Sequence, residues 1–341
     1  MYQVIVFLSL GLLLATGQHC TLRETEGALG QNYKPLYPAL SKEIIKYVND
    51  ITNTTWLAQD TEVFSGVNDI KSRLGVVEDP NRFRLPKICK LLTDKRKSEI
   101  PEEFDARVKW AACPSIGKVN DHGSCASSWA FAAVESINDR MCVLEKKSPE
   151  LSVNDVLSCC GALCGSGCGG GIPSAAWDFW VYHGIVSGKD GCKPYPFETR
   201  MNKTSKEATT CTDVKTPKCT TTCELGLKYE DAKVFGQRAY TLQSDEMQIR
   251  DEILIYGSVQ AELDVFADFL TYKSGVYKHV AGHKLGKHAV RIIGWGVEGG
   301  QKYWLCINNW NTQWGNKGTF KILRGANECD IESTVNSGIP K

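Results

Sequence analysis

The stretch Val119-Asn-Asp-His-Gly-Ser-Cys-Ala-Ser-Ser-Trp-Ala-Phe-Ala-Ala133 decides how this 341-residue chain is read. Gly123-Ser124 supplies a turn. From Ser127 or Ser128 onward a helix is expected, because Ala130, Val134, Ile137 and Met141 recur at the three-to-four spacing of a buried stripe. Ser128 then stands on the first turn of a buried helix, beside the unpaired N–H groups and positive dipole end that every helix start presents. Taken alone, a serine there is an N-cap.

Working outward, the C-terminal part changes character. His288-Ala-Val-Arg-Ile-Ile-Gly-Trp-Gly, Lys302-Tyr-Trp-Leu-Cys-Ile-Asn and Gly318-Thr-Phe-Lys-Ile-Leu read as strands separated by glycine-rich turns. An α+β protein is expected, with a helical half over about 109–230, a β half over about 231–335, and a cleft between them. On the N-terminal side, residues 20–98 are polar and helical in rhythm, with Leu40, Ile44, Ile45 and Val48 on one face. Trp56 and Phe64 are candidate anchors there, and Asn53-Thr-Thr is a glycosylation sequon. The basic run Lys95-Arg-Lys precedes Ile100-Pro-Glu-Glu-Phe-Asp. Residues 18–98 read as a helical propeptide and 99–341 as the main domain; an ordinary N-terminal subdomain is the alternative.

Residues 1–17 carry an apolar run, Val4 to Leu14, followed by Ala15-Thr-Gly. That is the pattern of a secretory signal, shorter than the ~20 apolar residues of a membrane span. A secreted or endolysosomal location is expected, with no membrane span. The net charge of +1 offers no reason to propose nucleic acid as a partner. Fifteen cysteines entering an oxidising compartment pair mostly as disulfides, and the odd count leaves at least one unpaired. Cys159-Cys160-Gly-Ala-Leu-Cys164-Gly-Ser-Gly-Cys168 lacks both a repeated CxxC pair and a following histidine, so neither a zinc site nor any other metal or cofactor is expected.

Three regions together carry a resemblance: the segment around Ser128, the Gly-Lys-His288-Ala-Val-x-x-x-Gly-Trp-Gly strand, and Ile307-Asn308-Asn-Trp310-Asn-x-x-Trp314-Gly. Together they resemble the papain family of cysteine peptidases, and within it the cathepsin B-like members. The likeness extends through Cys159-Cys160-x-x-x-Cys164-x-x-x-Cys168-x-Gly-Gly and Phe320-Lys-Ile-Leu-Arg-Gly, and back into Leu40-Ser-Lys-Glu and Asn53-Thr-Thr-Trp56. It implies a two-lobed fold, helical left lobe against β-barrel-like right lobe, behind a helical propeptide that is itself a partner of the cleft.

By this resemblance Ser128 stands at the nucleophile, His288 at the base, Asn308 at the group that orients the base, and His122 at the oxyanion-binding glutamine. Two of the four match the family, and two do not. A thiol titrates near ~8.5 and is lowered further at a helix start beside an imidazolium, so a thiolate forms readily; an alcohol does not ionise in such fields. Serine catalysis usually relies on a base held by a carboxylate rather than a neutral Asn. His122 removes the usual amide donor, and Lys287, where the family has glycine, is expected to disfavour the His288 imidazolium. Cys125 lies three residues upstream, off the helix start, and resembles a disulfide partner of Cys168.

The cleft itself is expected to persist. Gly170 and Gly171 resemble the backbone-pairing wall, Trp310 the primed-side platform, and Thr334 replaces a pocket-floor Glu. In the occluding loop the paired histidines that cathepsin B uses for dipeptide trimming become Asn202 and Lys203, and the loop's first cysteine becomes Arg200. Asn202-Lys-Thr is a second sequon. The resemblance implies bridges Cys113–Cys142, Cys125–Cys168, Cys159–Cys219, Cys160–Cys164 and Cys192–Cys223, with Cys211, Cys306 and Cys329 left without family partners. The expectation is a homologue that has lost, or nearly lost, peptidase activity and keeps a cleft for peptides, proteins or cystatin-like inhibitors. The alternative is a weak endopeptidase working through Ser128, His288 and Asn308.

Overall fold

A computed structural model of the chain describes residues 36–78, 85–189, 191–197, 214–223 and 226–341. In chain order the elements are α1 (Lys42–Lys46), β1 (Trp56–Ala58), α2 (Val67–Lys71), β2 (Lys87–Ile88), α3 (Asp94–Ser98), β3 (Phe104–Asp105), α4 (Ala106–Lys109), α5 (Ser128–Glu145), α6 (Val153–Cys159) and α7 (Pro173–Tyr182). They continue as β4 (Gly236–Leu242), α8 (Glu246–Tyr256), β5 (Val259–Phe266), β6 (Tyr272–Tyr277), β7 (Lys284–Glu298), β8 (Gln301–Ile307), β9 (Thr319–Leu323) and β10 (Val335–Pro340).

Helix α5 begins at Ser128 with Ser127 as its N-cap and ends where Lys146 turns left-handed at φ 59°. It is buried on almost every side, as a helix running through a core must be. The small residues Ala130, Ala132, Ala133 and Ser136 let its neighbours close in. Its charged residues are paired: Glu135 and Asp139 meet Arg291 at 3.0 and 2.7 Å, and Arg140 meets Glu252 at 2.6 Å. Buried charges persist only when compensated in this way.

Among the described residues ten strands form one mixed sheet in the order β1-β6-β9-β8-β7-β5-β10-β4-β2, with β3 added on β7. The two largest apolar cores among the described residues lie against it. One gathers Trp129, Val134 and Ile137 of α5 with Val156 of α6 and Trp177 and Trp180 of α7. The other gathers Leu263 of β5, Ile292 of β7, Trp304 of β8 and Phe320 of β9. The long strand β7 also packs against α5, so the helical and β parts meet along the line that carries Ser128 and His288.

The N-terminal segment departs from the expected helical pattern. Its helices are single turns of five residues, α1 continuing into a π-turn over Tyr47–Ile51, and β1 and β2 join the sheet. Helices this short have little stability of their own. Burial anchors the segment instead: Trp56 inserts beside Tyr277 at 5.0 Å and donates its indole N–H to the Lys278 carbonyl at 2.9 Å. Arg96 and Lys90 both pair with the buried carboxylate of Asp251.

Disulfides join Cys113 to Cys142, Cys125 to Cys168, Cys159 to Cys219, Cys160 to Cys164 and Cys192 to Cys223. Cys89 is also disulfide-bonded, whereas Cys306 and Cys329 are free thiols. Cys306 is fully buried on β8, and burial pushes its thiol well above the usual range. A water-soluble maleimide is therefore expected to leave Cys306 unlabelled in the folded chain and to label it after denaturation. Labelling at equal rates in both states, read by peptide mapping, would contradict this burial.

Candidate active site

Ser128 is placed by the turn before α5. Gly123 adopts φ 64°, and its N–H donates to Asp121 Oδ1 at 2.8 Å, while the Cys125–Cys168 bridge ties the turn to the glycine-rich wall. Tyr195 braces it from the side, its hydroxyl 2.9 Å from both the His122 carbonyl and Ser127 Oγ. Ser128 itself is fully buried, and its Oγ accepts a long 3.4 Å hydrogen bond from the Ala289 N–H.

His288 stands on β7, with Nε2 donating to Asn308 Oδ1 at 2.8 Å. That oxygen also accepts the Asn309 N–H, and the Asn308 N–H is held by the Gly318 carbonyl at 2.9 Å. Trp310 covers the imidazole with ring centroids 4.5 Å apart. Among the described residues the other ring nitrogen, Nδ1, makes no hydrogen bond to Ser128, although the Arg73 backbone lies close enough to raise the pKa of the ring. His122 faces them, its ring centroid 5.9 Å from that of His288; its Nδ1 meets the Gly123 carbonyl at 3.1 Å.

Burial is the main reason both imidazoles are held neutral, each titrating at about 3. For His122 the second cause is the Arg73 guanidinium; for His288 it is His122, with Arg73 adding a smaller push. The expectation that Lys287 would repel the imidazolium is corrected here. Its ammonium turns away to Asp330 at 3.0 Å and Asp264 at 3.2 Å, and these two carboxylates raise its pKa against the opposing effect of burial.

The N-terminal segment runs directly over this centre. Gly75 accepts the Gly171 N–H at 2.9 Å, the Val77 N–H donates to the Gly171 carbonyl at 3.0 Å, and the Val76 N–H reaches the Lys287 carbonyl at 3.3 Å. A Cβ on Gly75 would lie 2.7 Å from Ser128 Oγ and 2.5 Å from the Ala126 carbonyl, so only glycine passes there. Gly170, at φ 106°, leaves the matching space on the other wall, where a Cβ would strike Val77. Arg73 is buried between Asp69 at 3.0 Å and Asp121 at 3.6 Å, and Phe64 meets Trp310 edge-on at 5.1 Å.

Residues 100–339 match the family model described as papain family cysteine protease. The chain belongs to the papain family. Within it the chain is cathepsin B-like: it is 42% identical over 313 residues to a cathepsin B-like cysteine proteinase of Schistosoma japonicum, covering 89% of this chain and 91% of that one. It is also 42% identical over 318 residues to cathepsin B-like cysteine proteinase 6 of Caenorhabditis elegans, covering 88% and 83%. Among solved structures, procathepsin B S9 of Trypanosoma congolense superposes with a TM-score of 0.78 at 33% identity, over 89% of this chain and all of that one. The papain-like α+β fold is thus shared with a proform.

In this papain-family chain the remaining expected positions fall as follows. Thr334 is partly buried just before β10, its carbonyl accepting the Glu262 N–H at 3.2 Å. Asn53 is exposed at the end of the π-turn region. Asn202, Lys203, Arg200 and Cys211 lie outside the described residues, as does the apolar stretch 1–17. Sequence reasoning missed Arg73, Gly75 and Asp121. No periodicity marks them, because their importance comes from crossing a cleft whose other wall is some fifty to two hundred residues away in the chain. Phe64 was visible only as a lone aromatic in a polar stretch.

Proposed function

We propose that this cathepsin B-like protein has lost, or nearly lost, peptidase activity, with Ser128 at the position of the family's nucleophilic cysteine, and that it works by holding peptides or proteins in its cleft. The observation that carries the reading is the hydroxyl at the head of α5, which among the described residues makes no hydrogen bond with His288 Nδ1. A hydroxyl in a site shaped for sulfur, with an Asn behind the base and a histidine in place of the oxyanion amide, lacks the groups that make either a thiolate or an activated alkoxide. In this reading residues 1–17 are a signal peptide, 18–98 the propeptide, and 99–341 the domain proper. Its location is secreted or endolysosomal, and cystatin-like inhibitors are candidate partners of the cleft.

The decisive assay compares the native protein with Ser128→Ala on protein and peptide substrates after the N-terminal segment has been cut by an added, then quenched, protease. Equal background rates support the proposal. Turnover in the native chain that Ser128→Ala abolishes would favour the weak serine hydrolase instead. Loss of the paired occluding-loop histidines at Asn202 and Lys203 further predicts that no dipeptides are trimmed from C-termini. Both sequons, at Asn53 and Asn202, are expected to carry glycans on secreted protein; unmodified asparagine at either position in peptide mapping would contradict passage of that site through the glycosylation machinery.

A further inference from the structure

Residues 86–99 lead from the N-terminal segment into the domain, and none of them is buried, whereas Leu85 before them and Ile100 after them are. The helix within this stretch, α3 (Asp94–Ser98), has five residues and buries none. Its sequence, Asp94-Lys-Arg-Lys-Ser98, sets three consecutive cations just ahead of the papain-family domain that begins at residue 100. The site around Ser128 makes no use of them. Exposed chain with few buried contacts is where proteases cut folded proteins.

We propose that this turn is the maturation site for a second protease, one whose specificity pocket takes a Lys or Arg side chain, and that the bond cut is Lys97–Ser98. Water adds across that amide, leaving a carboxylate on Lys97 and an amino group on Ser98. The inference rests on the reading of residues 18–98 as a propeptide, whose end it places at Lys97, and on none of the chemistry proposed for Ser128.

Three observations select this bond. Lys97 is the cation most open to a partner: its side chain is 49% exposed and its ion pair, to Asp94, is a long 3.7 Å, whereas Arg96 is drawn down onto Asp251. Opening α3 costs little, because a single turn has little stability of its own. It is held by the Thr93 cap on the Arg96 N–H at 3.2 Å and by the Lys97 N–H to the Thr93 carbonyl at 2.9 Å. Lastly, Lys90 shares the buried Asp251 carboxylate, so Arg96 can be withdrawn into a protease cleft without leaving that charge uncompensated. Neighbouring cations are held more firmly by their backbone. Lys87 pairs with Thr241 of β4, and the Lys90 N–H donates to Gln248 Oε1 at 2.7 Å.

The test is limited digestion of the full-length chain with trypsin, read by N-terminal sequencing of the large fragment on reducing gels, because Cys89 is disulfide-bonded. The first cut is expected after Lys97, giving a fragment that begins at Ser98. With Lys95→Gln, Arg96→Gln and Lys97→Gln together, the rate of the first cut is expected to fall on the order of tenfold or more. Circular dichroism checks the fold, and Lys97→Gln alone replaces the triple change if loss of the Arg96–Asp251 pair unfolds the segment. A first cut elsewhere in the folded native chain overturns the proposal, as does an unchanged rate in the folded variant. Gel filtration of the cut chain after mild reduction tests the propeptide reading separately: an N-terminal piece that stays bound contradicts that reading while the cutting site stands.

Discussion

Under the proposed loss of catalysis, replacing Ser128 by Cys and His122 by Gln together is expected to give a chain that hydrolyses peptides, whereas Ser128→Cys alone recovers on the order of 100- to 1,000-fold less. The first replacement restores a group that ionises beside an imidazole at a helix start, which no hydroxyl does in so modest a field. The second restores an amide donor in place of a ring whose proton is committed to the Gly123 carbonyl. Asn308 and Trp310 already hold His288 in a single orientation, so the base needs no rebuilding. Hydrolysis of a fluorogenic peptide after removal of the N-terminal segment checks the result. A double variant that stays inactive while remaining folded would overturn the assignment of a proposed loss of activity to these two positions.

Phe64→Ala is expected to open the cleft. Phe64 is buried against Trp310, and truncating a buried phenylalanine costs about 3–5 kcal/mol. That cost falls on the closing of residues 64–77 over the cleft rather than on the cores beneath. A loss of about 3 kcal/mol raises the open population on the order of 100-fold, and proteolysis of a transiently opened segment rises in proportion when reclosing is fast. Limited digestion is expected to cut residues 64–77 on the order of 100-fold faster in the variant, with the thermal unfolding of the domain little changed. An unaltered cutting rate would mean that the strand-like contacts of Gly75, Val76 and Val77 hold the segment without Phe64.

These predictions draw on different sources. The helix at Ser128, the strand carrying His288, the strand that ends just before Asn308, and the buried stripe Ala130, Val134, Ile137 and Met141 were legible in the chain, because periodicity and motif spacing are local properties. The N-terminal segment was legible only in part. Its helical rhythm was real at Ile44 and Val48, yet β1 and β2 form by pairing with β6 and β4, partners far along the chain that no local pattern names.

By itself, the order of residues brought the start of α5, the His288 strand and the turn after β8 into one papain-like resemblance, from which we propose Ser128 and His122 for the nucleophile and oxyanion positions. Tertiary structure alone decided which cation reaches that site. Lys287, adjacent to His288 in the chain, is drawn off by Asp264 and Asp330, while Arg73, more than two hundred residues away, is buried beside both imidazoles. The reason is physical: a charge acts through distance and the dielectric around it, and neither quantity follows from sequence separation.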